Sequence, residues 1–166
     1  MNVLDESQAT FVKFVALSGL RKDEAIKAFN TIMQLHEKGK LSEYYNADLE
    51  SLEHFKFPEK FIRGSKNVFF SFIPKEFVEH IATCQPISYE SFRKRLNRKG
   101  LTIRLNELRD YYGTFMVHNG LIREEVDLLQ GRVGKSIFMR HYFSPNIKEL
   151  RDKVLKAVDA MTRVLT

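Results

Sequence analysis

The chain has 166 residues, 43% of them hydrophobic and 14 of them Phe, with only 8 Gly and 4 Pro. That composition excludes a disordered, collagenous or low-complexity chain and suits one domain with its own core. The single cysteine, Cys84, excludes a disulfide framework or a Cys-based zinc cluster, and no apolar run reaches the roughly 18 residues of a membrane span, so a cytoplasmic location is expected. The net charge of +6 is unevenly spread, with −2 over residues 1–60 and +8 over residues 61–166.

Residues 4–19 read as a helix, with Phe11, Phe14, Val15, Ala16 and Leu17 at helical spacing and Gly19 as the stop. Ser18-Gly19-Leu20-Arg21 then turns a tight corner into a second helix, whose stripe is Ile26, Phe29 and Met33 with Ala25 and Ile32 beside them, ending at Gly39. Residues 54–62 and 67–73 are rich in Phe, Val and Ile and flank Gly64-Ser65, a pair suited to closing a β-hairpin; Pro58 demotes the first run to an edge strand. From Pro74 onward the pattern is helical over residues 75–83, 89–98, 104–118, 124–130 and 146–165. The last of these carries Leu150, Val154, Ala157, Val158 and Met161 along one face. The expected fold is α+β, mostly α-helical, with a small antiparallel sheet.

Two stretches hold cations without one acid. Residues 91–105 contain Arg93, Lys94, Arg95, Arg98, Lys99 and Arg104, and residues 128–148 contain Arg132, Lys135, Arg140 and Lys148. Such stretches point to an anionic partner, and nucleic acid is the natural one because phosphate neutralisation supplies most sequence-independent affinity. A solvated charged face is the other reading of the same charges.

There is no P-loop glycine pattern, no His-Glu-x-x-His pair and no nucleophile elbow, and His36, His54, His80, His118 and His141 lack ligand spacing. No metal or other cofactor is expected. What remains is an ordered set: Arg21 after the Ser-Gly-Leu turn, Lys66 after Gly64-Ser65, Asn106 and Arg109 at i and i+3 on a helix, Gly131-Arg132 after a short helix, and Tyr142 in Arg-His-Tyr-Phe-Ser-Pro. Arg132 follows Arg109 by 23 residues, and Tyr142 follows Arg132 by 10.

This set resembles the C-terminal catalytic domain of the tyrosine recombinases, or phage-type integrases. It is most similar to integrases of archaeal spindle-shaped viruses and related archaeal plasmids. The resemblance covers almost the whole chain and implies a catalytic domain over residues 1–166 without the N-terminal domain that clamps DNA. It also implies a homotetramer on double-stranded DNA, with this fragment a monomer in solution.

By that resemblance Arg21 and Arg109 clamp the scissile phosphate, Tyr142 is the nucleophile and Lys66 protonates the departing 5′ oxygen. From the two acid-free stretches, Arg93, Lys94, Arg95, Arg98, Lys99, Lys135 and Arg140 are expected to contact the DNA backbone. The chemistry of the residues agrees. Guanidinium forks hold non-bridging oxygens bidentately and stay charged, and a phenol with a pKa near 10 needs cations around it before it attacks. The chain departs from the family at two positions. Asn106 stands where histidine is usual and cannot shuttle a proton, and Arg132 replaces His or Trp as a third cation.

Alternatives stay open at each position. Lys60 rivals Lys66 as the acid, and Arg63, opposite Lys66 across a two-residue turn, either assists it or depresses its pKa. Arg21 as a helix-start ion pair with Glu24, Asn106 and Lys66 as surface residues, and Tyr142 as a half-buried aromatic are the structural readings. At the level of function, a catalytically inactive DNA-binding module and a type IB topoisomerase-like nicking-closing enzyme are the alternatives to a recombinase.

Overall fold

A computed structural model describes residues 3–134 and 146–166. Helix α1, Glu6–Ser18, starts where Asp5 accepts from the Gln8 N–H at 2.8 Å, with Glu6 in the first turn favouring the dipole. It is buried over most of its surface, including Phe11, Phe14, Val15 and Leu17, and so forms the centre of the core. Helix α2, Lys22–Glu37, lies against it. Phe11 meets Phe29 edge-on at 5.5 Å and Phe92 of helix α5, Tyr89–Arg98, at 6.0 Å, so one ring joins three helices. The buried stripe of α2 is Ala25, Ala28, Phe29, Ile32 and Met33, whereas Ile26 is only half-buried.

The strand expectation for residues 54–62 needs correcting. Those residues form a 3₁₀ turn, His54–Lys56, followed by the short helix α3, Pro58–Phe61, with Pro58 in its first turn. A proline lacks the N–H that a first helical turn leaves unpaired, so it starts this helix instead of marking an edge strand. Only the end of the run is extended. Strand β3, Ile62–Arg63, pairs with β4, Lys66–Asn67, across Gly64-Ser65, in the register Ile62↔Asn67 and Arg63↔Lys66. A second sheet, absent from the sequence expectation, has the order β1 (Tyr45–Asn46), β2 (Ser51–Leu52), β5 (Ser71–Phe72), all antiparallel. Its strands are two residues long and carry no periodic signal.

Behind that sheet the His54 imidazole is fully buried, hydrogen-bonded to the Tyr44 hydroxyl at 2.6 Å and to Ser71 Oγ at 2.9 Å, with the Phe61 ring 4.5 Å away. Both ring nitrogens are satisfied in the neutral form, and burial drives its pKa down to about 3.

The remaining helices are α4 (Lys75–Ala82), α6 (Leu105–His118), α7 (Arg123–Leu129) and α8 (Asn146–Leu165). Leu150, Val154, Ala157, Val158 and Met161 are the buried face of α8, as the sequence pattern requires. The fold is α+β and mostly helical. No helix among the described residues is long and apolar enough to cross a membrane.

Candidate active site

Leu105, Arg109, Tyr112 and Met116 recur at helical spacing along one side of α6, and all four are buried. An arginine in such a stripe must satisfy its guanidinium internally. Arg109, 6% exposed, donates from Nη1 to the Gly19 carbonyl and from Nη2 to the Gln130 carbonyl, each at 2.8 Å. Gln130 Nε2 donates back to the Arg109 carbonyl at 2.8 Å. The group is thus fixed between the end of α1 and the end of α7. Burial first, then the charges of Arg21 and Arg132 with Glu24 opposing them, lower its pKa to about 10, which leaves it charged at neutral pH.

The carbonyl that receives Arg109 is placed by a glycine. Gly19 has φ +64°, and its N–H donates to the Val15 carbonyl at 3.0 Å. A Cβ at Gly19 would lie 2.3 Å from Tyr112 Cδ1, so only glycine lets the chain turn against that ring. Two residues on, Arg21 enters α2 in extended conformation. The carboxylate of Glu24, 1% exposed, accepts the Arg21 main-chain N–H at 3.1 Å and pairs with its Nη1 at 3.0 Å. The helix-start ion pair therefore exists, and it also holds the guanidinium in place.

Lys66 sits opposite Arg63 on the β3–β4 hairpin. The Asn67 side chain shapes that turn: Oδ1 accepts from the Arg63 N–H at 3.1 Å and Nδ2 donates to the Gly64 carbonyl at 2.6 Å. After α7 the chain passes Gly131, φ +69°, and reaches Arg132. The Arg132 main-chain N–H donates to the Asp127 carbonyl at 2.8 Å, and its Nη1 pairs with Asp127 Oδ1 at 3.2 Å.

These segments meet. Arg21, Lys66, Asn106, Arg109 and Arg132 line one cleft of about 790 Å³, and Lys22, Arg63, Asp23 and Asp110 complete its wall. Six cationic side chains face two carboxylates there, a setting that favours an anionic group. Asn106 and Arg109 both line the cleft, as their i and i+3 spacing on one helix places them, but they differ in burial: Asn106 is exposed, while Arg109 belongs to the buried stripe.

Lys60, the rival acid, is not on the cleft wall; its Nζ donates to Thr31 Oγ1 at 3.0 Å beside the Phe57 ring. Tyr142, Lys135 and Arg140 lie outside the described residues.

Sequence reasoning missed Lys22. Its signal was a lysine in the first turn of a helix, where the dipole disfavours a cation.

Of the expected backbone contacts on α5, Arg93 and Arg98, with Lys99 just beyond, are exposed, and Lys94 is exposed and paired with Glu90 at 2.7 Å. Arg95 is committed elsewhere. It pairs with Asp5 and donates to Gln8 Oε1 at 3.1 Å, tying α5 to the start of α1.

The family model for archaeal phage integrases matches residues 2–158. No curated protein and no solved structure matches the chain. With nearly its whole length matched, the chain belongs to the archaeal phage integrase family.

Proposed function

We propose that the cleft is the catalytic centre of a tyrosine recombinase. Membership of an integrase family makes DNA the partner and strand recombination the role; the proposal concerns how the chemistry is done. Arg21, Arg109 and Arg132 hold the non-bridging oxygens of one phosphodiester and stabilise the charge that builds on them during transfer. The Tyr142 phenol oxygen attacks phosphorus and forms a 3′-phosphotyrosyl bond, its proton leaving to solvent, which the open cleft admits. The bond to the 5′ oxygen breaks, and Lys66 gives that oxygen its proton. A 5′ hydroxyl of another strand then reverses the step, so the bond energy is conserved. Asn106 cannot carry a proton near neutral pH. Of the two lysines on the cleft wall, Lys22 lies over the Tyr89 ring, so the role of acid is assigned to Lys66 on the hairpin. The same reading implies four copies on DNA and a monomer away from it.

The supporting observation is that guanidinium groups from three separate segments line the same cleft, one of them buried and fixed by two carbonyls before any substrate arrives. Fixed donors of this kind need no reorganisation as charge develops.

Incubation with a nicked suicide duplex tests the proposal. Wild-type protein should give a denaturation-resistant complex with DNA, and Tyr142→Phe should bind the duplex without forming one. The exposed Asn106 in place of histidine favours a second reading, a DNA-binding module without catalysis. Under that reading the wild-type protein binds DNA and forms no adduct.

A further inference from the structure

Beside the cleft lies a second cavity of about 600 Å³, between α5 and the start of α6. The two share Lys22, Asn106 and Asp110, so they adjoin along one wall. The floor of the second is apolar, from Phe92 and Leu96, both buried. Its rim carries Arg93 from α5 and Arg104 from the turn before α6. Both are exposed. Arg93 makes no ion pair among the described residues, and Arg104 pairs only with the exposed Glu107, at 3.4 Å. At the junction Lys22 lies over the Tyr89 ring, its Nζ 4.4 Å from the centroid, and its own pairing with Asp23 is loose at 3.6 Å.

Two arginines with little to hold them, on the rim of a cavity that opens into a phosphate cleft, are poised for another anion. A phosphate in the cleft has a neighbour on either side along its strand, and the wall that the two cavities share places the second cavity where one of those neighbours can lie. We propose that Arg93 and Arg104, with Lys22 at the junction, form a subsite for the phosphodiester next to the scissile one on the same strand. The inference rests on the reading of the cleft as a phosphate site. It assigns Arg93 and Arg104 to one defined phosphate, in place of a diffuse basic face, and adds Lys22 to the strand path.

Two probes test this on the full chain. The first is a thymidine dinucleotide with a 5′-phosphate and a normal linkage, hence two anionic groups. The second is the same molecule with a neutral methylphosphonate linkage. Dissociation constants come from nuclear magnetic resonance titration. Wild-type protein should bind the first roughly 10-fold tighter than the second, the worth of one charge-assisted contact. Arg93→Gln should lose that preference while keeping its affinity for the second probe. Arg163→Gln, which removes a charge from an exposed α8 position paired with Asp159 at 2.7 Å, should leave both affinities unchanged.

On a 25-base-pair duplex of arbitrary sequence, Arg93→Gln should also lower the slope of log affinity against log salt by about 0.9. A loss in Arg93→Gln that is equal for both probes overturns the subsite. So does a lowered salt slope with the dinucleotide preference intact, because Arg93 would then touch a distant phosphate. Failure of the underlying reading looks different: Arg132→Gln would leave the affinity for both probes unchanged, and the salt slope would still report on Arg93.

Discussion

The main-chain N–H of Asn67 donates to the carbonyl of Gly131 at 3.2 Å, so the residue after Lys66 is bonded to the residue before Arg132. Two cationic groups of the cleft, far apart in sequence, thereby share one mechanical joint. The contact is close: a Cβ at Gly131 would lie 2.7 Å from Val68 Cγ2 and 3.1 Å from both the carbonyl carbon and oxygen of Asn67.

Gly131→Ala should therefore suffer twice, from its left-handed φ and from this collision. Gly39 has nearly the same φ, +67°, with open space around it, and Gly39→Ala isolates the backbone cost of about 1–2 kcal/mol. Urea denaturation should show Gly131→Ala less stable than Gly39→Ala by about 1–3 kcal/mol, the usual cost of overpacking. Equal losses would mean that the joint is loose.

Lys66→Ala should slow adduct formation by about 10²–10⁴-fold, and replacing the 5′ leaving oxygen with sulfur should restore most of the rate, because a thiolate departs without an acid. Asn67 acts through the hairpin it braces, so Asn67→Ala should slow cleavage less and recover with the same substrate. A defect in Asn67→Ala that sulfur leaves untouched would assign Asn67 to stability alone.

Arg109→Lys keeps a charge but cannot span the carbonyls of Gly19 and Gln130 together. One buried carbonyl would lose its partner, at about 1–3 kcal/mol in urea denaturation. Adduct formation should fall by about 10²–10³-fold, as for loss of a fixed donor to a developing oxyanion. A variant of wild-type stability and rate would contradict the bridging role.

His54 sets a pH dependence. Its folded pKa, near 3, lies below the ordinary 6.5, so the unfolded chain takes up the proton first. The stability it contributes is present above pH 6.5 and is lost as pH falls toward 3, at about 1.4 kcal/mol per pH unit. Between pH 6.5 and 5 the loss should be roughly 2 kcal/mol, and His54→Asn should flatten that slope. A wild-type curve level across this window would show the imidazole is not held neutral.

What the sequence made legible follows from which forces are local. The α8 stripe is a strict helical repeat of apolar residues, and it lies buried as written. The Gly64-Ser65 turn fixes its own hairpin, which is why the Arg63↔Lys66 pairing could be read directly. Residues 54–61 misled because Phe is equally at home in strand and buried helix, and the choice was made by Pro58 at a helix start and by burial of His54 against Phe61. Strands β1 and β2 exist only through their pairing with each other and with β5, a non-local contact.

In the cleft, Arg21, Lys66, Arg109 and Arg132 were legible because their order along the chain resembles that of the tyrosine recombinases. That Arg109 would be buried was hidden by its charge, although its place between Leu105 and Tyr112 marked it. Lys22 and Asp110 reach the cleft because α2 and α6 both pack on α1, which no spacing rule encodes.

The central claim is that the cleft presents one phosphodiester to one phenol. Its most direct test is mass spectrometry of peptides from protein incubated with a nicked duplex and digested with nuclease and protease. The account predicts a nucleotide mass on the peptide carrying Tyr142, absent when Arg109 or Arg21 is replaced by Ala. A nucleotide on a different residue, or a Tyr142 adduct that persists in both arginine variants, would contradict it.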